Sequence, residues 1–297
     1  MKPQPERITK GLWWDRPLKL VEGCIHVSPG CDHCWSAREA NMRANNPNAK
    51  IKEQYAGLTE GVRWNGQIRL MEKNLDLPLR VRKPQVWAVW NDLFHEDVPF
   101  EFIGKVFARM YNTRYHTFIV LTKRPKRMAE FIHWYKTEWL AGFESAWPRE
   151  YQHLWLGVTA ENQAMADERI PILLQIPAAV RFVSVEPMLS DVMLSPWLGR
   201  VSGCRIHCPT TCHSCRLHSW ECKEAHDNRD GINLVICGAE SGPNRRKTEI
   251  DSIRNLRDQC VASGTKFFLK QMEVGGKLVK MPELDGQTWA QWPEVQP

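Results

Sequence analysis

Short apolar runs alternate with helical segments along most of this chain, and this alternation restricts the fold more than any other feature. The apolar runs are Val86–Trp90, Thr117–Leu121, Leu154–Val158, Val180–Val185, Leu234–Cys237 and Lys266–Leu269. Hydrophobic periodicity predicts helices between them, at Phe100–Tyr111, about Pro125–Trp139, Gln163–Ile176 and about Glu249–Ser263. Apolar strands separated by helices indicate a parallel sheet covered by helices. We therefore expect an α/β fold with six or seven parallel strands.

The architecture that we favour is a partial or full parallel α/β barrel forming a single domain over residues 1–297, with an open doubly wound sheet as the alternative. No G-x-G-x-x-G or G-x4-G-K-[ST] motif follows a predicted strand, which disfavours a dinucleotide or nucleoside-triphosphate fold. We also expect a first strand ending near Val21, a helix over Ala37–Ala44 and a helix around Glu72–Leu79.

Three cysteines follow the first predicted strand within eleven residues. Cys24, Cys31 and Cys34 are spaced C-x6-C-x2-C, and Pro29-Gly30 predicts a turn that lets Cys24 face the other two. Three converging thiolates suit a soft metal or an iron–sulfur cluster. A 4Fe–4S cluster held by three cysteines leaves one iron free to bind a substrate or cofactor.

Zinc is the alternative for this loop, because His26, His33 or a distant residue could supply the fourth ligand that a structural zinc site requires. Inert thiols are the third interpretation. The N-terminus carries no hydrophobic signal region, so we expect a cytoplasmic protein, in which clustered thiols are metal ligands rather than disulfides. No apolar run approaches the roughly 20 residues of a membrane span, so no membrane partner is expected.

A second group of cysteines and histidines interrupts the alternation within residues 199–231. This insertion holds five of the ten cysteines and four of the ten histidines without hydrophobic periodicity, so a metal would be needed to order it. Cys208, Cys212, Cys215 and Cys222 could ligate an auxiliary 4Fe–4S cluster, with Cys204 as an alternative ligand. A zinc site with four cysteines, or with three cysteines and a histidine, is equally open.

Polar residues also follow the predicted strands, at the carboxyl ends where parallel α/β folds bind ligands. They are Asn91, Asp92, Lys123, Arg124, Glu161, Glu186, Glu240, Ser241, Lys270 and Gln271. Any single one is most often a solvated turn or a helix cap. Six strand ends converging on one rim beside the cysteines nevertheless indicate a binding site, where carboxylates could hold ribose hydroxyls and cations a carboxylate or phosphate.

The charge of the chain permits an anionic partner without requiring one. The net charge is +6, and basic residues cluster at Arg80–Lys83, Lys123–Arg127 and Asn244–Lys247. These clusters are either solvated helix starts or contacts to a phosphate backbone. The 14 tryptophans are either core residues or surfaces on which bases stack.

Six segments of the sequence, taken in order, resemble a known family: Glu22–Cys34, Asp92–Pro99, Leu121–Pro125, Leu156–Val158, Ser184–Pro187 and Gly238–Pro243. Over roughly residues 20–275 the chain is similar to the three-cysteine phage-protein family, a radical S-adenosylmethionine (SAM)-like group common in phage genomes. Most radical SAM enzymes space the cysteines C-x3-C-x2-C, whereas the first gap here contains six residues.

The resemblance implies a barrel of radical SAM type with a 4Fe–4S cluster on Cys24, Cys31 and Cys34, whose open iron chelates SAM, and an external electron donor. By analogy, Asn91 and Asp92 would contact the methionine amino group of SAM. Three further residues would lie along its adenine or methionine moiety: Gly238, Glu240 and Ser241. The candidates for contact with the ribose or for catalysis on the substrate are Glu161, Glu186 and Lys123.

Some radical SAM-like members in phages that hypermodify thymidine are isomerases, which convert an N-linked glycinyl-thymidine into a C-linked one. The resemblance therefore implies action on a modified DNA base, in the host cytoplasm if the chain is phage-encoded. The alternatives are a zinc-organised nucleic-acid-binding protein without catalysis, a radical SAM enzyme acting on a small metabolite, and methyl transfer from SAM without a radical.

Overall fold

The computed structural model describes residues 5–143, 147, 151–199 and 231–294. Within these ranges the chain forms fourteen strands: β1 Arg16–Lys19, β2 Val21–Glu22, β3 Thr59–Glu60, β4 Arg63–Trp64, β5 Arg69–Leu70, β6 Val86–Trp90, β7 Thr117–Thr122, β8 Leu154–Thr159, β9 Val180–Val185, β10 Leu234–Gly238, β11 Lys266–Val274, β12 Lys277–Lys280, β13 Glu283–Leu284 and β14 Gln287–Thr288.

The same ranges contain six α-helices: α1 Trp35–Ala44, α2 Ala49–Tyr55, α3 Phe100–Asn112, α4 Pro125–Trp134, α5 Gln163–Gln175 and α6 Ile250–Ser263. A π-helical turn, Tyr135–Trp139, extends α4. Short 3-10 turns occupy Ile8–Lys10, Pro29–Cys31, Glu72–Asn74 and Pro78–Arg80. No helix in the described part of the chain is long and apolar enough to cross a membrane.

One eight-stranded sheet organises the molecule, in the order β1-β6-β7-β8-β9-β10-β11-β12. The seven strands from β1 to β11 are parallel, and β12 runs antiparallel to β11. The expectation of an α/β fold with a large, mostly parallel sheet is therefore confirmed. Among the described strands the order follows the chain without the reversal of a doubly wound sheet. No pairing between described residues joins β1 to β11, so the sheet is open.

Both faces of the sheet are buried, because residues of alternating direction along each strand enter two different cores. In β7, Phe118 and Val120 pack beneath the helices, whereas Ile119 faces the opposite core. That second core is closed by Trp13 near the N-terminus and by Trp292 near the C-terminus, whose ring packs at a tilt against Trp155 with 4.8 Å between centroids. Burial on both faces explains why these strands are apolar throughout.

One local expectation fails, and several short elements were not predicted. The helix expected around Glu72–Leu79 is wrong: the chain forms two 3-10 turns there, and the second begins at Pro78, which has no N–H to continue a helix. The short elements α2 and β3 to β5 were not foreseen in residues 48–82, nor was the antiparallel strand β12. Each of these β-strands except β12 is only two residues long and therefore carries no readable alternation.

The insertion between β9 and β10 leaves and re-enters the fold at one point. The backbone N–H of Gly199 donates to Ile232 O at 3.2 Å, and Ile232 N–H donates to Trp197 O at 2.9 Å. The proposed ligands of the insertion all lie outside the described residues: Cys204, Cys208, Cys212, Cys215 and Cys222.

Candidate functional site

The three N-terminal cysteines lie on a loop at the carboxyl end of the sheet. This cysteine loop, residues 23–34, follows β2 and runs directly into α1. It begins at Gly23, whose φ of 103° lies in the left-handed region, and a Cβ there would sit 1.9 Å from Gln67 O. Only glycine fits this position. The loop then turns through Pro29–Cys31, as the Pro-Gly pair predicted.

The three cysteines are unpaired and partly buried. Burial first, and then the Asp92 carboxylate, raise the pKa of Cys24 to about 12. This pKa includes smaller raising effects of Cys34 and Cys31 and a lowering effect of the Arg124 guanidinium. Among the residues that the structure describes, however, no three His, Cys, Asp or Glu side chains are gathered tightly enough to hold a metal ion.

Lys123, the residue after β7, reaches into the cysteine loop. Its Nζ lies 3.4 Å from Cys31 Sγ and 3.3 Å from Ser28 Oγ. Burial acts to raise the pKa of Cys31, but the Lys123 ammonium and the backbone N–H groups of Val27 and Ser28 outweigh it, so the pKa lies below its ordinary value. Lys123 therefore favours the thiolate, which is the ligand form of cysteine.

Glu161, which follows β8, anchors the same part of the loop from below. Its carboxylate is fully buried and accepts from Gly30 N–H at 3.1 Å and from Arg169 Nη1 at 2.9 Å, while Lys123 Nζ lies 3.6 Å away. Burial acts to raise the pKa of Glu161, but Lys123 and Arg169 lower it, and the net pKa is below its ordinary value. This carboxylate is thus a charged anchor for the loop.

Arg124 occupies the third side of the loop. Its Nη1 donates to Asp92 Oδ2 at 2.8 Å and lies 4.0 Å from Cys24 Sγ, and its Nε donates to Glu96. The Nη2 atom of Arg124 is buried without a hydrogen-bond partner among the described residues. Asp92 is fully engaged, because it also accepts from Thr122 Oγ1 at 2.7 Å. The guanidinium therefore retains one unused donor, Nη2, whereas Nη1 is the atom that lies near the Cys24 sulfur.

A network around Glu240 closes the loop from the β10 side. The Glu240 carboxylate pairs with Arg246 and lies 2.8 Å from His33 Nδ1. Arg246 also donates to Asp32 Oδ2 at 3.1 Å and to Pro29 O at 3.0 Å. One arginine thus connects the strand end to the middle of the cysteine loop.

Asn91 fixes the junction between β6 and the start of the cysteine loop. It adopts a left-handed backbone with φ of 59°, which asparagine tolerates better than most residues. Its Nδ2 donates to Val21 O at 2.8 Å and to Glu22 Oε2 at 3.1 Å, and its Oδ1 accepts from Ser36. The side chain therefore ties three segments together.

Glu186 and Lys270 form a separate ion pair on the same rim. Glu186 follows β9 and Lys270 lies in β11, so the pair crosses over Gly238 of the intervening β10. A Cβ on Gly238 would lie 3.3 Å from Glu186 Cδ. Ser241 is partly exposed nearby along the chain. Lys270 lies within β11 rather than after it, because that strand extends to Val274.

An aromatic group on the β1–β6 side was missed by sequence reasoning. Trp90 makes edge contacts with Trp14 at 5.8 Å and with Trp35 at 5.0 Å between ring centroids. Lys19 Nζ lies 4.5 Å above the Trp90 ring and 3.0 Å from Tyr55 Oη. Burial lowers the pKa of Lys19, although Glu22 opposes the shift. A half-buried lysine with a lowered pKa is a frequent feature of functional sites.

The structure thus brings most of the predicted site residues to the cysteine loop. Residues that contact the loop or its ends directly are Asn91, Lys123, Arg124, Glu161 and Glu240. Asp92 acts through Arg124, and Glu186 pairs with Lys270 instead. Sequence reasoning named no role for Arg246 beyond its basic cluster and missed Arg169 and Lys19. Membership of the basic cluster Asn244–Lys247 was the signal for Arg246.

The fold and the site define an α/β protein with a mostly parallel sheet and a three-cysteine loop at the carboxyl ends of its strands. This chain belongs to the family described as "protein of unknown function (DUF5131)", whose profile matches residues 9–293. No curated protein and no solved structure matches the chain.

Proposed function

We propose that this chain is an iron–sulfur enzyme of radical SAM type, built on a partial α/β barrel, in which Cys24, Cys31 and Cys34 hold a 4Fe–4S cluster. One observation carries the proposal: three partly buried thiols share a loop at the carboxyl end of a parallel sheet, with cations against two of the sulfurs. The strand order, which follows the chain from β1 to β11, supports the barrel.

A cluster and a single zinc ion place different demands on the three sulfurs. Ligands of one zinc ion must all lie within about 2.3 Å of it, which requires a tight group of side chains. No such group of three occurs among the described residues. In a cluster each cysteine binds a different iron, so the sulfurs need to approach one another less closely. A zinc site on this loop is the alternative, and metal analysis of the purified protein distinguishes the two.

The charges around the loop suit anionic sulfur ligands. Lys123 lies against Cys31, and Arg124 against Cys24, so two cations offset the charge of two thiolates. The unused Nη2 donor of Arg124 adds a further hydrogen bond that a cluster or cofactor could accept. A 4Fe–4S cluster held by Cys24, Cys31 and Cys34 would supply one-electron chemistry here. The chain itself fixes the loop through Glu161, Glu240 and Arg246, and partial burial limits access of water.

The proposed substrate is a modified base in DNA, and the proposed reaction is isomerisation of an N-linked to a C-linked glycinyl-thymidine. The resemblance to the phage family and the net charge of +6 support this assignment. Lys126 and Arg127 lie in the first turn of α4, after β7, and Arg127 also donates to His95 O and Val98 O. If they contact phosphates, binding will weaken steeply as salt rises. An external electron donor is part of the proposal.

The cluster is tested by anaerobic reconstitution with iron and sulfide. The variants are Cys31→Ala and, as a matched control, Cys260→Ala, which removes a buried cysteine from α6. Wild-type protein should exceed Cys31→Ala by about four irons and four sulfides per chain, and Cys260→Ala should match wild type. The difference between variants removes any contribution from the insertion. Equal iron in all three proteins, or zinc alone, would refute the cluster.

The reaction is tested with reconstituted protein, a reductant and SAM. We expect 5′-deoxyadenosine to form when DNA carrying the N-linked base is present, with conversion to the C-linked isomer detected by mass spectrometry of the nucleosides. Turnover only with a free metabolite would instead favour a radical SAM enzyme that acts on a small metabolite. Methylated product without deoxyadenosine would indicate methyl transfer instead.

A further inference from the structure

Two features of the sheet, a bulge in β11 and a glycine in β10, position the ion pair between Glu186 and Lys270. The pairing of β10 with β11 shifts register between Cys237 and Gly238, so that Lys270 is an extra residue in its strand. Such bulges re-aim a side chain, often beside active sites. Gly238 leaves the space through which the pair crosses, because a Cβ there would contact Glu186 at 3.3 Å.

The backbone around Glu186 is held between the two strand ends that support the cysteine loop. Met188 N–H donates to Gly238 O at 3.0 Å, and Leu189 N–H donates to Glu161 O at 2.9 Å. Glu186 therefore stands between Glu161 and the end of β10 in a fixed position. A group bound to it would lie on the same rim as the cysteines.

The pair differs from the other charged residues of the rim in its unused hydrogen-bonding capacity. Glu161, Glu240 and Asp92 each accept from at least two donors within the protein. Among the described residues, the side chains of Glu186 and Lys270 form hydrogen bonds only with each other. Their side chains are 17% and 22% exposed, so a ligand can reach both. They are thus available for binding, whereas the other carboxylates already hold structure.

We propose that Glu186 and Lys270 form a subsite for a ligand group that carries both an ammonium and a carboxylate. The ammonium would pair with Glu186 and the carboxylate with Lys270, so that the ligand replaces one ion pair by two. Both partly buried charges therefore have an opposite charge beside them in the free state and in the bound state. A ligand with only one charge would leave one member of the pair without its partner.

This inference rests on the proposed function only in treating the bound group as part of the substrate. It assigns the two residues to substrate selection rather than to the metal centre. The zwitterion would then be held on the β9–β11 side of the rim, opposite the tryptophans of the β1–β6 side.

Binding of three small probes to the full-length protein tests the subsite: glycine, acetate and methylammonium, measured by calorimetry without added SAM. Wild type should bind glycine about tenfold more tightly than either singly charged probe, since a charge-assisted hydrogen bond is worth about 1.5–3 kcal/mol. Lys270→Met should lose this preference. Glu186→Gln should bind acetate at least as well as glycine. Gly238→Ala, which alters no charge, should weaken glycine binding.

The matched control is Glu273→Gln, which breaks the partly exposed Arg245–Glu273 pair near the end of the same strand. It should keep the glycine preference of wild type, and thermal melting verifies that each variant folds. Equal binding of the three probes to wild type, or an unchanged preference in Lys270→Met, would overturn the subsite. Iron content measured on the same samples reports on the cluster separately, so the two proposals can fail independently.

Discussion

Replacing Glu161 with glutamine is the most informative single change, because the carboxylate is fully buried and joins the sheet to the cysteine loop. The substitution keeps an acceptor for Gly30 N–H but leaves the guanidinium of Arg169, only 3% exposed, without its counter-charge. Removing one partner of a buried pair costs about 3–5 kcal/mol. The retained amide oxygen places Glu161→Gln near the lower value, about 3 kcal/mol.

A loss of that size is a large part of the roughly 5–15 kcal/mol that stabilises a typical protein. The assay is equilibrium unfolding in urea, followed by circular dichroism at pH 7. Glu168→Gln is the matched control, since Glu168 is exposed on α5, the helix that carries Arg169. We expect the control to lie within about 0.5 kcal/mol of wild type. Equal stability of Glu161→Gln and Glu168→Gln would refute the assignment of Glu161 as a charged anchor.

Two further measurements separate lost charge from lost packing. Adding Arg169→Met to Glu161→Gln should cost less than the sum of the two single changes, because neither charge is then left alone. The pH dependence has a definite sign. The folded-state pKa of Glu161 is lowered, so its contribution is complete above the unfolded pKa of about 4.3 and is lost as pH falls through the folded value. The stability difference between wild type and Glu161→Gln should therefore narrow in acid.

Three other changes test the loop. In metal-free protein, iodoacetamide near neutral pH should alkylate Cys31 before Cys24, because Lys123 favours the Cys31 thiolate while the pKa of Cys24 is about 12. Lys123→Met should slow the labelling of Cys31. Labelling of Cys24 before Cys31 would contradict this electrostatic account. Arg246→Met should lower the free energy of unfolding by about 1–2 kcal/mol, a value reduced because the arginine is partly exposed. It should also increase amide hydrogen exchange in residues 29–33. Unchanged exchange would show that Arg246 does not hold the loop. Gly23→Ala should lower the free energy of unfolding in urea by more than about 2 kcal/mol, because of both its positive φ and the clash with Gln67 O. The control is Gly57→Ala, which is also at positive φ but in open space and should lower the free energy of unfolding by less.

The strands were readable from sequence because each is buried on both faces. Val86–Trp90 and Val180–Val185 have the predicted limits, since an apolar run ends where a strand leaves the core. Alternation with helices then gave the parallel sheet. The helix predicted around Glu72–Leu79 was wrong because the spacing of apolar residues takes no account of Pro78, which cannot donate a helical hydrogen bond.

The contacts of the site were less readable, because their partners are far apart in the chain. His33 meets Glu240 across 207 positions, and Arg246 meets Pro29 across 217. Position after a strand predicted that Glu161 and Glu240 would approach the loop, since parallel strands share one carboxyl edge. It could not predict that Glu161 would be saturated by Arg169, or that a bulge would turn Lys270 toward Glu186, because both depend on side-chain geometry.

Gly199 and Gly231 lie against each other, so the segment between them could in principle be replaced by another segment. A Cβ on Gly231 would lie 2.7 Å from Gly199 N, so the two glycines abut and a short turn could join them directly. Strands β9 and β10 would keep their pairing whatever the length of the intervening segment. A chain shortened between these two glycines therefore offers a direct way to study the cysteine loop in isolation from the second group of thiols.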